Sequence, residues 1–173
     1  MRAVFLIAIS VLAAPLFAAG PAQSIDRDVV VSAPRAAVWK AWSSVEGAKT
    51  FFAPDARIEL APGGPYEIYF NPEAPAGSKG GESNQVVAFE PERMLLISWN
   101  APPRFGEQYR REHTYVLLRF DDAPGGGTRV RLTHFGWREG KEWTDIHDYF
   151  DQKGWDYVLG KFRKAYDKEI AAR

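Results

Sequence analysis

The stretch from Arg111 to His134, REHTYVLLRFDDAPGGGTRVRLTH, constrains the fold of this chain more than any other. Successive side chains of an extended strand point to opposite faces. Thr114, Val116, Leu118 and Phe120 therefore share one face. Asp121 to Gly127 supplies an Asp-, Pro- and Gly-rich turn. The chain then returns with Val130, Leu132 and His134 facing the same way, while Arg129, Arg131 and Thr133 face water. Such one-sided alternation specifies an antiparallel hairpin with one wet face. Its apolar face must be covered by another element. The inward series of the second strand ends in a histidine, so His134 is the first candidate functional residue.

The same period recurs upstream. Ile58 and Leu60, then Tyr66, Ile68 and Phe70, flank a turn at Pro62, Gly63 and Gly64; NQVVAFE and RMLLISWN flank a turn at Glu90 to Glu92, with Leu95, Ile97 and Trp99 on one face. Two stretches lack periodicity: NPEAPAGSKGGE, expected to be a long loop at the sheet edge, and Ala101 to about Gln108. Before the sheet, DRDVVVSAP predicts a short strand ending at Pro34. Val38, Trp39 and Trp42 then fall at helical spacing, and Val45 to Phe52 predicts a second short helix. Glu142 to Ala171 is helical by pattern but carries two apolar stripes. Trp143, Ile146, His147 and Phe150 share one face, and Trp155, Val158, Leu159, Phe162 and Tyr166 share another, rotated by about 100°. One straight helix cannot bury both, which predicts a break at Asp151 to Gly154. The order is strand, two short helices, six strands joined as hairpins, then a long helix. This predicts an α+β domain in which a curved antiparallel sheet is closed by the C-terminal helical segment, with a cavity between them.

A domain of this size needs no staple, since 173 residues can bury roughly two-thirds of their unfolded surface. Lys+Arg and Asp+Glu are both 22, so no net field concentrates nucleic acid, and a polyanion partner is not expected. The absence of cysteine excludes disulfides, thiolate metal sites and a cysteine nucleophile. The N-terminal MRAVFLIAISVLAAPLFAAGPAQS has a basic start at Arg2 and an apolar run from Ala3 to Leu12. Pro15 and small residues at Ala18, Ala19, Gly20 and Ala22 follow. This is the form of a secretory signal, expected to span about residues 1–22 and to place the mature domain, residues 23–173, in the periplasm or outside the cell. The run is shorter than the roughly 20 residues of a membrane span, so no span is expected in the mature protein. Nothing in the pattern specifies an oligomeric state.

The helix-opening VVVSAPRAAVWKAW, the Gly63–Gly64 pair before Tyr66, FEPERMLLISW and above all GGTRVRLTHFGW resemble the START-like superfamily, often abbreviated SRPBCC, which has a helix-grip fold. Within it the chain is similar to the branch named after the C-terminal domain of the activator of heat-shock protein 90 ATPase, over about Asp26 to Tyr166. The resemblance implies a helix-grip fold with a cavity for lipids, polyketides or other apolar small molecules. The superfamily includes binders, cyclases and co-chaperones. The co-chaperone role belongs to cytosolic proteins and conflicts with a signal peptide.

The candidate residues each carry two readings. His134, pointed at any cavity, would orient a ligand or serve as a general base in a cyclase- or hydrolase-like reaction. It would equally serve as a core histidine hydrogen-bonded to a backbone carbonyl or to the terminal helix. Trp143 and His147 would form a lid over the cavity mouth near His134, whereas His113, Glu82 and Arg57 are expected to be solvated. Phe70, Trp99, Val116, Leu118 and Trp155 are the expected cavity lining together with His134, although core filling accounts for large aromatics as well. No metal-ligating set, cofactor motif or ordered Ser, His and Asp arrangement is present. The expected partner is an apolar or amphipathic small molecule. A stress-related protein-binding module is the remaining alternative, and would need an exposed apolar patch.

Overall fold

The computed structural model describes residues 24–167. The expected signal segment, residues 1–22, lies outside them. Strand β1 (Ile25–Val31) leads into helices α1 (Arg35–Ser43) and α2 (Val45–Phe51). Strands β2 (Asp55–Ile58), β3 (Tyr66–Tyr69), β4 (Gly80–Gly81), β5 (Val86–Glu90) and β6 (Met94–Trp99) follow. A 3-10 turn (Pro103–Phe105) and helix α3 (Glu107–Arg111) precede the hairpin β7 (Thr114–Asp122) and β8 (Thr128–Phe135). Helix α4 (Lys141–Tyr149), a π-helical turn (Phe150–Gly154) and helix α5 (Trp155–Tyr166) complete the chain. The α+β architecture expected from the alternation, with the helix-grip arrangement that the resemblance implies, is the one observed. Helix α3 was not legible, because Glu107–Arg111 has no apolar stripe.

Five strands form an antiparallel sheet in the order β1-β8-β7-β6-β5, and β2-β3-β4 form a smaller one. A bridge between Pro65 and Gln85 and the hydrogen bond from Tyr66 N–H to the Asn84 carbonyl join the two into a curved surface. The hairpin register opposes Val116 to His134, Leu118 to Leu132 and Phe120 to Val130, and all six are buried. Arg129 and Arg131 stand on the wet face. The inward face is covered by α5 and by α1 and α2, whose Trp42 and Phe51 meet Phe162 of α5 at ring-centroid distances of 5.4 and 5.0 Å. The sheet receives Trp39, edge-on to Phe120 at 5.6 Å.

The expected break in the C-terminal helix is a wide turn instead. Trp155 N–H bonds the Phe150 carbonyl, five residues back. A turn with one extra residue rotates everything after it by about 100°, which is the offset between the two stripes. Phe150 and Trp155 consequently stack, with ring centroids 6.0 Å apart and planes at 26°. Both stripes reach the sheet without interrupting the helix. The wide turn is tied to the sheet edge by Arg27 of β1. Its guanidinium pairs with Asp151 at 3.0 Å and Asp156 at 2.8 Å, and also donates to the Asp151 carbonyl.

Two helical glycines make opposite predictions. A Cβ on Gly47 of α2 would meet the Lys40 carbonyl and lie 2.5 Å from Ala41 Cα, backbone that cannot give way. At Gly160 of α5 a Cβ would meet nothing within 4 Å. Gly47→Ala is expected to lower unfolding stability by about 1–3 kcal/mol through overpacking. Gly160→Ala is expected to raise it by up to about 1 kcal/mol through helix propensity. Urea midpoints of the two variants check both signs.

Candidate functional site

A cavity of about 480 Å³ opens at the end of the sheet where β6 finishes. Three segments bound it: the loop between β3 and β4, the segment Trp99–Pro103, and the wide helical turn with the start of α5. The apolar part is aromatic. Trp99 stacks on Phe52 at 5.7 Å with planes at 14°, and Trp155 lies 5.5 Å from Trp99. Phe70 meets Phe52 edge-on at 5.9 Å and is 45% exposed, so it forms part of the rim. Gly80, at φ +129, is required here: a Cβ would sit 2.7 Å from the Phe70 ring and close the approach of the loop.

The loop is held by a buried ionic cluster. The Glu82 carboxylate accepts the N–H groups of Gly77 and Lys79 at 2.7 Å each and lies 3.6 Å from Arg110. Arg110 is buried and donates to the Ala101 and Gly80 carbonyls at 2.8 and 2.9 Å. Glu82 is thus not the solvated residue expected from its place in a hairpin, because from just beyond β4 it organises the backbone donors of the loop before that strand. Arg57 is exposed and lies 3.8 Å from Glu67.

Of the residues singled out in the sequence, Phe70, Trp99 and Trp155 line the cavity. Val116 and Leu118 are fully buried in the hydrophobic core and do not. Trp143 is buried against α3, edge-on to Tyr109 at 5.7 Å and capped by the Arg138 guanidinium at 4.8 Å. It is a packing residue of that corner, outside the cavity wall. His147 is half-buried, 3.2 Å from Asp148, and separated from His134 by Trp137, whose ring lies 5.2 Å from the one and 4.2 Å from the other. His113 is half-buried rather than solvated, and burial pushes its pKa down. Among the described residues no group of three or more His, Asp or Glu is placed to hold a metal ion. The lining residues not foreseen are mostly loop positions, such as Asn100, Pro102 and Pro103, and the helical turn at Tyr149–Gly154. The only sequence signal for the latter is the phase shift between the two apolar stripes.

His134 sits behind the cavity wall and is fully buried. Trp155 Nε1–H donates to its Nδ1 at 2.9 Å. This bond assigns the ring proton to Nε2, which donates to Thr114 Oγ1 at 2.7 Å. Thr114 in turn donates to the Trp99 carbonyl at 2.9 Å. Both nitrogens are committed, so no lone pair is free to accept a substrate proton. The network ties together Trp155 and the backbone of Trp99, two walls of the cavity. Burial, reinforced by His147, holds the His134 pKa well below its ordinary 6.5. The ring is neutral in the fold.

A family model described as Activator of Hsp90 ATPase homolog 1-like protein matches residues 32–167. No curated protein matches the chain. Among solved structures, a Mesorhizobium loti protein is similar with a TM-score of 0.67 and 17% identity, covering 85% of this chain and 98% of that one. The Aha1 dimer from Colwellia psychrerythraea is similar with a TM-score of 0.64 and 19% identity, over 84% of this chain and 96% of that one. CalU16 from Micromonospora echinospora is similar with a TM-score of 0.60 and 23% identity, over 86% and 77%. These likenesses show the shared fold.

The His134 network makes a pH prediction. The unfolded chain takes up a proton on this histidine near pH 6.5 and the folded chain does not, so acid favours unfolding. Its contribution is complete above about pH 6.5 and is lost as pH falls below that value. Unfolding midpoints are expected to decline from pH 6.5 to 5, with a shallower decline in His134→Gln. At pH 7.5, His134→Ala is expected to cost on the order of 3 kcal/mol, from the cavity created and the indole N–H left unpaired. Chemical denaturation across pH measures both.

Proposed function

The chain belongs to the Activator of Hsp90 ATPase homolog 1-like family, and from that premise we propose that it is an exported binding protein for an apolar or amphipathic small molecule. The observation that carries this reading is the cavity. Its volume of about 480 Å³ falls in the range of small-molecule pockets, and its walls combine aromatic rings with a few polar groups, as such pockets do. Phe52, Phe70, Trp99, Trp155 and Val158 supply the apolar surface a ligand would cover. Export rests on the N-terminal signal pattern. It is also the reason the reading departs from the ATPase-activator role in the family's name, because an exported chain does not meet a cytosolic ATPase. A cyclase- or hydrolase-like role for His134 has less support, since both ring nitrogens are engaged behind the wall. Among the described residues no helix is long and apolar enough to cross a membrane.

Trp99 and Trp155 make the cavity its own reporter. Titration with fatty acids, isoprenoids and aromatic polyketides is expected to change tryptophan emission saturably for at least one class, and silence with all three would overturn the reading. Phe70→Ser is expected to weaken the responding ligand about five- to thirtyfold, the cost of losing roughly 1–2 kcal/mol of apolar contact. Because Phe70 is half-exposed, the melting temperature is expected to change little.

A further inference from the structure

The charges around the cavity are one-sided, although the whole chain carries 22 cationic and 22 acidic residues. Its lining contains Lys79 and Lys153 and no Asp or Glu. Lys79 belongs to the loop between β3 and β4, and Lys153 to the wide helical turn, so the two elements that bound the opening each contribute one ammonium group. Three carboxylates beside those elements are already engaged. Glu82 is held by two backbone N–H groups and Arg110, whereas Asp151 and Asp156 are held by Arg27. Glu73, in the same loop, is exposed and outside the lining. Among the described residues neither lysine has a carboxylate partner; Lys79 Nζ instead lies 5.4 Å from the Tyr69 ring centre. A third cation, Arg104, lies 4.3 Å from the ring of Tyr149, itself a lining residue. Asn71 and Ser78 add polar groups on the loop side, while Phe52, Trp99 and Trp155 form the apolar part.

We propose that the cavity accepts a single-chain amphiphile with an anionic end, its hydrocarbon against Phe52, Trp99 and Trp155 and its carboxylate or phosphate between Lys79 and Lys153. This deepens the small-molecule reading and rests on it. The anion supplies the counter-charge that the protein does not provide at this rim. The hydrocarbon supplies most of the binding free energy, since an exposed ion pair changes affinity by no more than about fivefold. The lysines therefore select among amphiphiles of equal length.

The test compares dodecanoate, dodecyl phosphate and uncharged dodecanol by tryptophan emission at pH 8, below their aggregation concentrations, with the purified protein and its Lys79→Gln/Lys153→Gln variant. Dodecanoate, dodecyl phosphate or both are expected to bind about three- to tenfold more tightly than dodecanol. That preference is expected to shrink as salt rises and to vanish in the variant, with dodecanol affinity unchanged. The carboxylate and phosphate arms identify which headgroup is preferred. Equal binding of all three, or a preference that survives in the variant, overturns the anionic assignment and leaves the cavity reading intact. No saturable response with any of the three overturns the amphiphile assignment, and silence that extends to isoprenoids and aromatic polyketides overturns the cavity reading as well.

Discussion

The hydrogen bond from the Trp155 indole to His134 fixes where the C-terminal helix lies on the sheet. Both partners are fully buried, so the bond forms in a medium without competing water. A slide or rotation of α5 would leave a buried N–H and a buried imidazole nitrogen unpaired, at a cost of about 1–3 kcal/mol for each group. The bond extends through Thr114 to the Trp99 carbonyl. One polar chain thereby positions helix, hairpin and the end of β6 together, inside an otherwise apolar interior. The cavity is a consequence of this arrangement, because Trp99 and Trp155 are held as walls instead of collapsing into it.

The wide turn at Phe150–Gly154 is the second condition for that geometry. A regular helix would turn either Trp143, Ile146 and Phe150 or Trp155, Val158 and Phe162 away from the sheet. An extra residue in one turn reconciles the two stripes, and Arg27 takes up a carbonyl within the turn. Arg27 lies in phase with Ile25, Val29 and Val31, positions that are otherwise buried and apolar. Its charge is tolerated at the sheet edge because Asp151 and Asp156 meet it there. The same turn carries Lys153 to the cavity, so the element that closes the fold also shapes the opening.

The loop wall has a different origin. Glu82 and Arg110 form an ion pair that satisfies backbone donors and acceptors in two non-periodic segments, converting a Pro- and Gly-rich stretch into a defined surface. Breaking one partner would strand the other, which is the usual consequence of burying charges together. The cavity is thus built at the junction of a regular sheet, an irregular helix and an ionically pinned loop, in the region where the fold departs most from regular periodicity.

Several features were legible in the chain before its structure. The alternation of Thr114 to Phe120 with Val130 to His134 specified the hairpin and its buried face, because a slip of one residue would expose every apolar side chain. The spacing of Val38, Trp39 and Trp42 placed α1, and the phase shift near Gly154 marked a discontinuity in the last helix. The inward direction of His134 and the position of Trp99 at the end of its strand followed from the same period-two rule. Only the tertiary structure decided what those residues do. Periodicity states which way a side chain points, but not whether the space there is filled. Val116 and Leu118 lie in packed core, while Trp99, at the end of the neighbouring strand, meets open volume. The partners of His134, and the two members of the Glu82–Arg110 pair, come from segments far apart in sequence, and no local pattern encodes such pairings. The hairpin and the helices were therefore determined by the sequence through local stereochemistry and hydrophobic phase. The cavity and its charge were decided by long-range packing and by which buried polar groups found partners.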